Sequence, residues 1–169
     1  MASQTGELPL LGISRCLLGE LVRYDGGHRQ DAALVEALRA RVRLVPVCPE
    51  VEAGLGVPRE PMHFVNASGG RRLVTVDSGR DCTATLSRWC EVEARRWQSL
   101  GVRGAVLKAR SPSCGLSVVV SDGSTTPGLF VEALARFAPG IVVENAENLA
   151  DNASFEAFLA RISGCRAAV

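Results

Sequence analysis

No uninterrupted apolar run of about 18 residues, the least a membrane-crossing helix needs, occurs anywhere in the 169-residue sequence. No membrane span is therefore expected. The first residues, Met1 to Glu7, are polar and lack the basic start and apolar stretch of a secretory signal, so a cytoplasmic protein is expected. Excess charge of either sign is missing too. A net charge of +1 gives no bulk field that would argue for a polyanionic partner. Lysine is almost absent: Lys108 stands alone against 18 arginines. Arginine suits bidentate phosphate contacts, but GC-rich codons produce the same bias, and composition alone establishes no recognition. The only histidines are His28 and His63, which restricts any histidine-dependent metal or nucleophile chemistry to those two. Internal repeats and low-complexity segments are also lacking. With 47% hydrophobic and 22% charged residues, the chain is long enough for one domain with a full core and too short for two ordinary ones. The expected organisation is a flexible N-terminus over 1–8 and a single domain over 9–169.

Periodicity divides that domain into alternating elements. Leu10 to Ser14, Val42 to Val47, Val102 to Lys108 and Ile141 to Val143 are short apolar runs and predict buried strands. Pro46 counts against the second, because it offers no N–H to a ladder. Asp31 predicts a helix cap before Leu34, Val35 and Leu38. Leu86, Cys90, Ala94 and Trp97 mark a long amphipathic helix closed by Gly101. Thr126 is expected to cap, and Pro127 to open, a helix carrying Leu129, Phe130, Ala133 and Leu134. A closing helix should start at Asn152. His63 to Val65 and Leu73 to Val76, around Ser68-Gly69-Gly70, predict a hairpin appended to the main sheet. Strands alternating with helices imply parallel pairing. The fold class is thus α/β: a Rossmann-like open, mainly parallel sheet with flanking helices and a small β-hairpin.

In such sheets ligands bind beyond the carboxyl ends of the strands. Cys16, Cys48 and Cys114 each follow a different predicted strand, and are expected to converge there. In a reducing compartment they are available as ligands or nucleophiles. Three thiolates suit zinc, with His28 or His63 as the fourth ligand. They equally suit a cubane iron–sulfur cluster with one iron left free. Cys114, in a turn rich in Gly and Ser, is alternatively a lone nucleophile. Cys82, Cys90 and Cys165 are expected to be inert buried thiols. Glu50 is placed as a general base, or as a carboxylate at a helix start. Ser111 and Ser113 flank Pro112, where they serve either a substrate or the turn itself. Arg23, Asp25 and His28 surround Gly26-Gly27, at the pocket entrance or in a solvated loop.

Four motifs in this order carry a resemblance: Cys16-Leu17-Leu18-Gly19, Val22-Arg23-Tyr24-Asp25-Gly26-Gly27-His28, Cys48-Pro49-Glu50-Val51, and Ser111-Pro112-Ser113-Cys114-Gly115. From Leu10 to Ile162 the chain resembles the thiouracil desulfidases, a bacterial family long catalogued as a domain of unknown function. The runs Gly54 to Pro61 and Gly128-Leu129-Phe130, after a shortened loop, resemble the branch often fused to a second domain. The resemblance implies a [4Fe–4S] cluster held by Cys16, Cys48 and Cys114. It implies Glu50 and Ser111 as catalytic residues, and a non-redox replacement of the sulfur of a thiolated uracil by oxygen, with release of sulfide. Free 4-thiouracil, its nucleotide and 4-thiouridine in tRNA all fit as substrates. For tRNA, phosphate contacts would come from Arg39, Arg41 and Arg43, from Arg71 and Arg72, or from Arg95, Arg96 and Arg103. No stable protein partner is expected. A non-catalytic iron–sulfur or zinc module and a cysteine or zinc hydrolase are the competing readings.

Overall fold

Gly12, in the middle of the first strand, lies directly under the ring of Trp97, so closely that a Cβ there would overlap the indole. This contact sets how a long helix lies on the central sheet. The computed structural model describes residues 7–164. Leu10–Ser14 forms β1, followed by one 3₁₀ turn, Arg15–Leu18. Helix α1, Ala32–Arg39, starts where the Asp31 carboxylate accepts the Leu34 N–H at 3.1 Å, and leads into β2, Arg43–Val47. A single helical turn, α2, covers Pro49–Glu52. Strands β3, Met62–Ala67, and β4, Gly70–Thr75, precede helix α3, Thr83–Leu100. Then come β5, Gly104–Leu107, and the two-residue strands β6, Val118–Val119, and β7, Thr125–Thr126. Helix α4, Leu129–Phe137, strand β8, Val142–Asn145, and helix α5, Asn152–Gly164, complete the described chain.

The central sheet runs β2-β1-β5-β8, all parallel. Side chains alternate between its faces with the period of a strand. On β5, Ala105 and Leu107 join the core under α3 and α4, whereas Val106 joins the core under α1 and α5. Leu11 and Ile13 of β1 face the second core, which leaves Gly12 to face Trp97. Trp97 and Leu86, both fully buried on α3, seal the first core; burying a side chain of that size is worth about 2–3 kcal/mol. Pro46 is tolerated because β2 is an edge strand. The chain leaves β1 for β2 on one side, then crosses back to β5 on the other. The sheet therefore changes direction between β1 and β5, and their carboxyl ends diverge to leave a crevice.

Three expectations change. The β3–β4 hairpin is not appended to the main sheet. It is a separate two-stranded sheet, and Phe64 makes an isolated bridge to Val120 beside the equally separate β6–β7 pair. The helix expected to be capped by Thr126 and opened by Pro127 begins later. Thr126 lies in β7, and Gly128 is the residue before α4. Here the chain is pressed onto the segment around Cys114: the Gly128 N–H donates to the Gly115 carbonyl at 2.8 Å, and a Cβ on Gly128 would sit 2.5 Å from the Ser113 oxygen. That tertiary contact overrides the local preference of Thr-Pro. The last strand runs to Asn145 rather than stopping at Val143. Among the described residues, no helix is long and apolar enough to cross a membrane.

Candidate active site

A cavity of about 400 Å³ opens at the carboxyl ends of β1, β2 and β5. Cys16 reaches it from the 3₁₀ turn after β1, Cys48 from the residue that precedes α2, and Cys114 from the turn after β5. Glu50 and Ser111 line the same cavity, so the structure brings together all five residues placed at the site from sequence. Cys82 and Cys90 lie instead in the core beneath α3 and α4. Cys165 is outside the described residues. Neither His28 nor His63 lines the cavity; His28 Nδ1 accepts the Gln30 N–H at 3.1 Å in an exposed loop. Asp25 is also away from it, its carboxylate accepting the Gly27 N–H at 2.9 Å, while Arg23 is part of the wall.

Local hydrogen bonds hold Cys48 and Cys114. The Glu52 carboxylate accepts the Cys48 N–H at 2.9 Å at the start of α2. The Ser111 hydroxyl accepts the N–H groups of Ser113 and Cys114 at 3.3 and 3.2 Å, and the Ser111 carbonyl accepts the Gly115 N–H at 2.8 Å. Ser-Pro-Ser-Cys-Gly is thus a side-chain-braced turn. Buried Asn145, at the end of β8, donates through Nδ2 to the carbonyls of Leu107 and Cys114 at 3.1 and 3.3 Å, and accepts the Leu116 N–H at 3.0 Å. It ties the Cys114 turn to the two strands below. Ser14 does the same at the end of β1 by accepting the Lys108 N–H at 3.0 Å. Sequence reading misses Asn145 and Ser14. Their only signal is a polar residue where an apolar strand ends.

Glu50 is held from both sides. Ser113 Oγ donates to Glu50 Oε1 at 2.6 Å. Arg59 donates to Oε2 through Nε at 2.9 Å and Nη2 at 2.6 Å. The same guanidinium reaches the Val22 carbonyl at 3.0 Å and the Gly56 carbonyl at 2.8 Å, and so ties α2 to the loops on either side of the cavity. Only 6% of the Arg59 side chain and 12% of that of Glu50 are exposed. Charge-assisted bonds at this burial are among the stronger polar contacts a protein makes.

Burial pushes the Cys16 thiol up to about 11, with Cys48 adding to the rise and Lys108 and Arg23 opposing it. Burial raises Cys48 as well, and lifts Cys114 well above the ordinary thiol range. No histidine base stands at the cavity wall to activate Cys114 as a lone nucleophile. Zinc also fits poorly. Its ligands must all lie within about 2.3 Å of one point, and among the described residues no three His, Cys, Asp or Glu side chains are gathered so that they could hold one metal ion. The three sulfurs surround one cavity, and Cys16 and Cys48 both act on the buried Cys114 thiol. That arrangement and that soft donor set fit a polynuclear iron–sulfur group, in which each thiolate bonds a different iron.

The arginines proposed from sequence as phosphate contacts are largely engaged elsewhere. Arg41 pairs with Glu156, Arg43 with Glu7, Arg71 with Glu132, Arg72 with Asp81, Arg95 with Glu91 and Arg96 with Glu93. The basic groups at the cavity are Arg15, Arg23, Arg29, Arg59, Lys108 and Arg110.

Comparison with known proteins identifies the family and the fold. The model of the 2-thiouracil desulfurase family matches residues 11–146. The uncharacterized protein YbbK of Bacillus subtilis (strain 168) is 31% identical over 147 residues, covering 80% of this chain and 96% of that protein. Among solved structures, a [4Fe–4S]-dependent thiouracil desulfidase, TudS, superposes with a TM-score of 0.70 at 33% identity, over 89% of this chain and 98% of that one.

Proposed function

The chain belongs to the 2-thiouracil desulfurase family, and on that premise we propose that it is a [4Fe–4S]-dependent desulfidase acting on a small thiolated uracil. The reaction exchanges C=S for C=O: one water is consumed, one hydrogen sulfide is released, and no electrons are gained or lost. The observation that carries this reading is the convergence of Cys16, Cys48, Cys114 and Glu50 on one cavity at the point where the sheet changes direction. Cys16, Cys48 and Cys114 would hold the cluster. When bound, it supplies an iron that no protein side chain ligates, a soft acceptor for the departing sulfur.

The chain's own residues do the rest. Glu50 takes the proton of the attacking water at Oε1, which keeps a lone pair beyond the one used by Ser113, whereas Oε2 is occupied by two donors of Arg59. Ser111 uses its oxygen to accept from the backbone of its turn, which leaves its O–H to donate to the substrate. Apolar cover from Val22, Val47, Pro61 and Met62 limits water in the cavity and strengthens these contacts.

The basic rim favours a free base or nucleotide over tRNA, because Arg15 and Arg110 are already paired with Glu20 and Glu147. The deciding test is sulfide release from 4-thiouracil by anaerobic, iron-loaded protein. One sulfide per uracil formed is expected. No sulfide from 4-thiouracil, its nucleotide or thiolated tRNA, with the cluster spectroscopically intact, would leave only a binding module. A tRNA preference that collapses with added salt would identify a polyanion as the substrate.

A further inference from the structure

Arg23 has a buried Nη1 with no hydrogen-bond partner among the described residues. Its other contacts are weak. Nη2 is 3.7 Å from Asp25 Oδ2, and the guanidinium lies 5.4 Å from the centre of the Tyr24 ring. A buried guanidinium N–H without an acceptor carries an uncompensated desolvation penalty, and an acceptor supplied by whatever enters the cavity would relieve it. The side chain is 17% exposed and lines the cavity with the three cysteines. Its charge is felt at Cys16 and at Lys108, which places it beside the ligand set rather than out at the rim.

The backbone below this side chain is anchored. The Arg23 N–H donates to the Gly27 carbonyl at 3.1 Å, and the Arg23 carbonyl accepts the Gly26 N–H at 3.0 Å. Gly26 makes this possible with φ at 77°, in the left-handed region that L side chains rarely adopt. On the other side, the Val22 carbonyl is gripped by Arg59. Arg23 is therefore presented on a loop tied at both ends, with its donor already desolvated.

We propose that Arg23 is the specificity residue of this site, and that its Nη1 hydrogen-bonds the ring carbonyl oxygen that desulfuration leaves in place. The inference rests on the desulfidase reading. It adds that the pocket recognises the pyrimidine by its second carbonyl and not by its sulfur alone. In a thiolated uracil that oxygen is the acceptor common to base, nucleoside and nucleotide. A site built to donate to it rejects a ring that lacks it, because the buried donor is then left unpaired.

The test compares 4-thiouracil with pyrimidine-4-thione, which keeps the thiocarbonyl and lacks the second carbonyl. Iron-loaded wild-type protein should prefer 4-thiouracil in kcat/KM by about ten- to hundred-fold, and Arg23→Gln should bring the ratio toward unity, chiefly through KM. Calorimetry of the same protein with uracil and with pyrimidin-4-one reads the discrimination without turnover. If Arg23→Gln fails to load iron, Arg23→Lys is read in its place; it keeps the charge but not the planar fork, and should lose most of the preference. Equal wild-type affinity for uracil and pyrimidin-4-one would overturn the proposal. So would an undiminished preference in an iron-replete Arg23 variant. Absence of sulfide release with uracil discrimination intact would count against the desulfidase reading and leave Arg23 in its role.

Discussion

Ser113 Oγ and Glu50 Oε1 lie 2.6 Å apart, a buried hydrogen bond between side chains 63 residues apart in the chain. Arg59 holds the other carboxylate oxygen. Glu50 cannot swing freely as a general base on a surface would. It is fixed in one orientation by partners from the turn of Cys114 and from the loop after α2, and its positioning depends on the turn that also carries a cysteine of the site.

Glu50→Gln should keep iron content and the cluster spectrum while kcat falls by about 10²–10⁴-fold, the usual worth of a positioned acid or base. Gln is nearly isosteric but takes no proton at neutral pH. Full turnover by an iron-replete Glu50→Gln protein would remove the carboxylate from the chemistry.

Arg59→Ala should destabilise the fold by about 3–5 kcal/mol, because it strands a buried carboxylate and frees the Val22 and Gly56 carbonyls. The penalty should shrink when Glu50 is already Gln, since residues in contact are not additive. Denaturant titration of wild type, both single variants and the double variant measures this. Strict additivity would mean that the pair is not coupled in solution.

Ser113→Ala and Ser111→Ala should separate two kinds of effect. Ser113 loses only its bond to Glu50, so iron loading should persist and kcat should drop, with little further loss when combined with Glu50→Gln. Ser111 braces the Cys114 turn as well as facing the cavity, so its loss should weaken iron retention under a chelator in addition to slowing turnover. Identical behaviour of the two variants in the chelator challenge would contradict this division.

Cys16→Ser, Cys48→Ser and Cys114→Ser should each abolish iron binding, because a hydroxyl is a poor substitute for a soft thiolate. Cys82→Ala and Cys90→Ala should retain it, since both thiols are packed in the core and neither lines the cavity. Iron and sulfide analysis after anaerobic reconstitution is the measurement. An iron-free Cys90→Ala protein that is still folded would displace the ligand assignment.

What the sequence by itself determined is the architecture and a set of candidate site residues, which the fold brings to one cavity. The β1 and β5 segments are short apolar runs and α3 carries a clear apolar face, and the rule that ligands bind at carboxyl ends of parallel strands joins Cys16, Cys48 and Cys114 without coordinates. The tertiary structure decided which partner each group has. Ser113 and Arg59 meet Glu50, and Asn145 meets the Cys114 turn, only because strands distant in the chain end side by side. It also moved the start of α4 past Thr126-Pro127, where backbone contact with Gly115 and Ser113 outweighed a local capping signal. It left the β3–β4 hairpin apart from the central sheet. Local pattern reports the hydrophobic face and the turn chemistry of a segment, and both act over a few residues. Hydrogen-bond partners across the cavity depend on strand order and loop path, which arise only when the whole core is packed.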